Sequence, residues 1–179
     1  MTDRREWWDV REWLRTALFV VAASLAMRAV VVEAFVVPSG SMKPTIREGD
    51  RVLGSKFHYR VWEPRRGEVV VFRPPGEAAS PGRAGASRYV KRIIAVAGDE
   101  VEILDGQVRV NGERLAEPYV LEPPAYSFPR SHVPEGHVFV LGDNRNESVD
   151  SHRFGFLAED ALIAHVFARY WPPRRIGGL

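Results

Sequence analysis

The sequence predicts a mainly β protein: one antiparallel β domain, closed or nearly closed into a barrel, preceded by a single N-terminal membrane-spanning helix. Three observations predict it. From Asp50 onward, short β-branched and aromatic runs alternate with tight-turn dipeptides such as Asp105-Gly106 and Asn111-Gly112. Near the N-terminus an apolar run, "TALFVVAASLAM" over residues 16–27, carries no charge. A length of 179 residues, with 15 glycines and 13 prolines, suits one ordinary domain with an appendage.

The totals exclude some chemistries. Net charge is +2 and the arginines are scattered without a basic block, which argues against nucleic acid as a partner. There are no cysteines, so thiolate zinc sites, disulfides and a cysteine nucleophile are all ruled out.

Taking the elements in order, twelve helical residues span roughly 18 Å, short of a hydrocarbon core of about 30 Å. Continuing through "RAVVVEAFVV" lengthens the run to Val37 and accepts Arg28 and Glu33. Such a segment spans if Arg15 and Arg28 snorkel to opposite interfaces, with Trp7, Trp8 and Trp13 in one belt. The expected layout is a cytoplasmic segment over 1–13, an anchor helix over 14–35 and an extracytoplasmic β domain over 36–179. Arg4, Arg5, Arg11 and Arg15 before the run keep the N-terminus inside. Two alternatives stay open: a removable secretory signal, or a helix lying in the interface.

Beyond Asp50, "RVLGSKFHYRVW" and "GEVVVFRP" read as strands separated by an "EPRRG" turn. Residues 74–87, "PPGEAASPGRAGAS", read as a mobile surface loop. "RYVKRIIAVAGDEVEI" gives two strands across a Gly-Asp turn, and the Asp-Gly and Asn-Gly pairs then predict successive hairpins. "HVFVLGD" is another apolar strand, and "DALIAHVFARYW" closes the sheet.

Candidate chemistry gathers in three stretches. "VVPSGSMKPTI", residues 36–46, packs small hydroxyls into a bend directly after the apolar run, as a solubilising linker or a presented nucleophile would. A histidine helper finds no support: the 5 histidines fit no triad pattern, and GxSxG is absent. His132 and His137 match no strong zinc spacing. Of the lysines, Lys43 and Lys56 read as solvated, whereas Lys91 shares a strand face with Tyr89 and Ile93. Burial there would favour the neutral amine, a competent base; a head snorkelling to water is the alternative. "LGDNRNESVDSHRFG", residues 141–155, is a long polar run at a strand end, fit to orient another group or simply to cap a turn.

With these stretches quoted, the chain resembles the bacterial type I signal peptidases (leader peptidases), membrane-bound serine proteases with a Ser/Lys dyad. "PSGSMKPT" is similar to their nucleophile box, "RRGEVVVF" to the strand box after it, "RYVKRIIAVAGD" to the lysine box and "GDNRNESVDS" to the last box. All four stand in the family's order, and the likeness runs from about Glu12 to the terminal "RIGGL". The resemblance implies Ser41 as nucleophile and Lys91 as general base. It implies an oxyanion hole from the Ser39 hydroxyl and the Ser41 amide, with Ser148 orienting the lysine. Asp143, Arg145 and Asp150 would support the site, and Phe35, Val37, Met42, Val71 and Val90 would wall the substrate pocket. One departure is His152 after "DS", where most members carry arginine, which leaves the partner of Asp150 open.

The function so implied is membrane-bound removal of signal peptides after small residues, through an acyl-enzyme and without metal or other cofactor. Signal peptides of secreted preproteins and membrane lipid would be its partners, and the enzyme would be a monomer in the cell membrane with its catalytic domain outside. Two rivals remain at this point: a self-cleaving Ser/Lys protease of the LexA-like kind, and a tethered β-rich module without catalysis.

Overall fold

The computed structural model describes residues 10–21, 31–76 and 88–179. Residues 10–21 form a helix, α1, with Leu14, Leu18 and Phe19 exposed. Among the described residues no helix is long and apolar enough to cross a membrane. The anchor expected over 14–35 also runs into sheet, because Val32–Val36 is a strand, β1, paired antiparallel with β2 (Arg51–Ser55). Register and side chains explain the change: Glu33 stands opposite Gly54 and pairs with Lys56 and Arg88, contacts that a continuing helix would forgo. The middle of the expected anchor, 22–30, lies outside the described residues, as does 77–87 of the expected loop.

β2 is shorter than "RVLGSKFHYRVW" suggested. It stops at Ser55, and His58–Val61 makes a single helical turn, α2. There the His58 ring packs on Tyr59, Trp62 and His165. The later elements agree closely with the sequence: β3 (Val69–Phe72), β4 (Tyr89–Ala95), β5 (Glu100–Leu104), β6 (Gln107–Val110) and β7 (Glu113–Arg114). Asp105 and Gly106 have φ of 50° and 72°, Asn111 and Gly112 54° and 82°, which is the left-handed pair that a tight hairpin requires. β8 (Phe128–His132), β9 (His137–Leu141), the helical turn α3 (Ser151–Phe154), β10 (Leu157–Ala158), β11 (Leu162–Trp171) and β12 (Gly177–Gly178) complete the chain.

The strands form two antiparallel sheets. The larger has the order β1-β2-β11-β3-β4-β9-β10, with β12 on β11, and curves as a half-barrel; the smaller is β7-β6-β5-β8. The closed or nearly closed barrel is therefore corrected to a half-barrel with β1 and β10 at its edges, since the chain spends four strands on a separate sheet. β3 is buried throughout, and its alternation splits two cores. Val69 and Val71 join Phe35, Val37, Met42 and Ile46 on one side, while Val70 and Phe72 join Ile93 and Val140 on the other. Ser41 leaves β1 above the first core, and β4 brings Lys91 to it from the middle of the sheet.

Candidate active site

The bend after β1 is built by its own hydrogen bonds. Lys43 N–H donates to Gly40 O at 3.1 Å and Ile46 N–H to Met42 O at 2.8 Å, leaving the Ser41 amide outside these turns. Met42 and Ile46 are fully buried and pin the turn to the core. This lifts Ser41, itself 8% exposed, into an open cleft of about 300 Å³.

Lys91 comes to the same point. It stands opposite Val70 in the β3–β4 register, and only 3% of its surface is exposed. Its Nζ donates to Ser41 Oγ at 2.6 Å and to Val90 O at 3.1 Å. Burial pulls the amine down from 10.5 to about 8, and the charges of Asp150 and Asp143 resist that fall. A neutral amine is thus within easy reach near neutrality, one hydrogen bond from a hydroxyl. Ser39 Oγ lies 3.3 Å from Ser41 Oγ.

The polar loop after β9 clamps the bend. Asn144 N–H donates to Ser41 O at 3.0 Å, and Asn144 Nδ2 to Gly40 O at 3.2 Å. Asp150 accepts from Gly142 N–H at 2.9 Å and contacts His152 Nδ1 at 2.7 Å, so His152 is the partner the sequence left open. The His152 ring stacks on Tyr126 with centroids 3.9 Å apart. Asp143 receives both arms of Arg92, at 2.9 and 2.8 Å, and Arg92 lies over the Tyr119 ring.

Of the expected pocket residues, Val37 and Val90 line the cleft and also belong to the first core, which Phe35, Met42 and Val71 share with them. Phe35 carries the guanidinium of Arg88, itself a cleft residue, over its ring, and Val71 stands opposite Val90 in the β3–β4 register. Ser148 Oγ is buried without a hydrogen-bond partner and does not bond Lys91. Arg145 supports the loop from behind, donating Nε to Gly142 O at 3.0 Å and pairing with Glu117.

Arg92, Glu117 and Asn144 were not singled out in the sequence. Arg92 had a signal, being next to Lys91 and so facing the other way; Asn144 was within the polar run; Glu117, in an irregular stretch, had none. The Arg145 side chain is fully buried and Glu117 nearly so. Breaking such a pair leaves a buried charge uncompensated, typically costing about 3–5 kcal/mol. Glu117→Ala is expected to lower the urea midpoint accordingly; an unchanged unfolding curve would refute the pairing.

Comparison with known proteins gives a consistent result. Residues 10–171 match the family described as signal peptidase, peptidase S26. The chain is 42% identical over 168 residues to a probable signal peptidase I-2 of Synechocystis, covering 92% of this chain and 76% of that one. It is 39% identical over 173 residues to a probable signal peptidase I-1 of the same organism, covering 97% and 88%. A probable thylakoidal processing peptidase 2 of Arabidopsis thaliana is 41% identical over 165 residues, 92% of this chain and 45% of that one.

Proposed function

Since the chain belongs to the S26 signal peptidases, serine peptidases that remove signal peptides from preproteins, we propose that Ser41 attacks the scissile carbonyl with Lys91 as base. The observation that carries this reading is the 2.6 Å contact between Lys91 Nζ and Ser41 Oγ inside a buried, partly apolar setting. The amine takes the hydroxyl proton as the oxygen attacks. It returns that proton to the departing amine of the mature chain, then activates water against the ester. Asp143 and Asp150 favour the transient ammonium.

The oxyanion would be held by the Ser41 amide and the Ser39 hydroxyl; a donor of that kind is worth on the order of a hundredfold in rate. Ser148, whose hydroxyl is buried and unpartnered, would take up the lysine once it is charged. Small side chains at the first and third positions before the cut fit a cleft floored by Val37 and Val90. An extended substrate would lie beside the start of β4, where Tyr89, Val90 and Lys91 pair with β3 and the register with β9 begins only at Arg92, as an added strand.

The same reading puts the enzyme in the cell membrane as a monomer, N-terminus inside and β domain outside. The apolar run over 16–27 and the exposed Phe57, Val61 and Trp62 support contact with lipid.

The pH profile tests the base. A lysine near 8 must lose its proton before it can act, so kcat/KM for a signal-peptide substrate should rise about tenfold per pH unit below that value and level off above it. A profile flat from about pH 5 to 9 would overturn the assignment. Trapping a peptide ester on Ser41 by mass spectrometry checks the nucleophile separately.

A further inference from the structure

The cleft around Ser41 and Lys91 contains two other charged side chains, Arg88 and Glu147, that the mechanism leaves idle. Arg88 immediately precedes β4 and shares a face with Val90, about 6.6 Å away along the chain. Its guanidinium lies 5.5 Å from the centroid of the Phe35 ring, and Nη1 donates to Glu33 Oε1 at 2.6 Å. Glu33 also pairs with Lys56 Nζ at 3.3 Å. Among the described residues one carboxylate therefore serves two cations, which gives this lip of the cleft an excess of positive charge. The Arg88 hydrogen bond pulls the Glu33 carboxyl below its usual range, which keeps it a carboxylate. Elsewhere in the lining, Glu147 is held by Asn144 Nδ2 at 2.9 Å, the amide that also bonds Gly40.

We infer that Arg88 determines specificity, favouring acidic and disfavouring basic side chains in the substrate stretch upstream of the small residues. The inference rests on the peptidase reading above. An extended peptide along β4 repeats its side-chain direction every second residue. With its third residue before the cut against Val90, its fifth meets Arg88. Charge is read there at a half-exposed site, so the preference is modest and salt-sensitive. Glu147, in the same lining, acts with the opposite sign.

The test uses the full-length enzyme in detergent and three peptides that differ only in Asp, Gln or Lys at the fifth position before the cut. The wild type should cleave the Asp peptide about three- to tenfold faster in kcat/KM than the Lys peptide at low salt, with the ratio shrinking at about 0.5 M salt. Arg88→Gln should bring the ratio toward one, and Arg88→Glu should reverse it. Equal rates in the wild type, or an unchanged order in Arg88→Glu, would overturn the inference. A wild-type preference for Lys that Glu147→Gln removes would also overturn it, assigning the charge reading to Glu147. Cleavage that survives in Ser41→Ala would instead overturn the peptidase reading beneath it.

Discussion

Replacing Lys91 with methionine is expected to reduce signal-peptide cleavage by about 10³–10⁴-fold or more, almost entirely in kcat. Methionine fills nearly the same volume but has no amine to take the Ser41 proton, where Lys91 Nζ now stands 2.6 Å from Ser41 Oγ. Ser41→Ala should lose as much, and the double variant no more than either single one, because groups that act as the proposed dyad does lose their effect together. Folding does not confound this result. The amine is held at about 8 in the folded protein against 10.5 when exposed, so between those pH values the unfolded chain binds more protons. Stability of the wild type therefore rises with pH across that window, and below it the buried ammonium costs on the order of 3 kcal/mol. Lys91→Met escapes that cost and should unfold at the same or a higher temperature near pH 7. Activity kept within tenfold by the methionine variant would exclude lysine as the base.

Much of this site was legible because the informative residues obey short-range rules. Lys91 could be placed on a half-buried strand face from its period-2 neighbours, and both Asp-Gly and Asn-Gly turns adopt the backbone that their composition dictates. The strand pattern after Asp50 survives nearly whole. What failed depended on tertiary pairing. Val32–Val36 continues an apolar run and reads as helix, but β2 offers it an edge, and Glu33 finds two cations there. The pocket wall needs tertiary structure too: alternation says that Phe35 and Val71 are buried, and only the assembled fold says that Val37 and Val90 of the same core open onto the cleft. Glu117 had no local signal, since its meaning comes from Arg145, 28 residues away.

Gly142→Ala is the second large effect, and its cause is space. A Cβ at this position would lie against Ser148 Oγ, its nearest neighbour, 2.7 Å from Ser148 Cβ and 2.5 Å from the Ser41 carbonyl oxygen. Two of those three neighbours cannot swing away: one is backbone and the other is the root of a short side chain. The loop from Gly142 to Ser148 must then retreat from the bend. That retreat strains the Asn144–Ser41 hydrogen bond of 3.0 Å and the Gly142–Asp150 bond of 2.9 Å, which hold the polar loop against the Ser41 bend. Overpacking of this kind typically costs about 1–3 kcal/mol, and an ångström of misplacement at reacting atoms costs about a hundredfold in rate. Gly142→Ala should accordingly lower both the unfolding temperature and kcat, with KM less affected. Adding Ser148→Ala removes only the nearest clash, so it should restore part of the stability and leave kcat low. A Gly142→Ala enzyme that matches the wild type in both would mean that the Ser41 bend and the polar loop are not in contact.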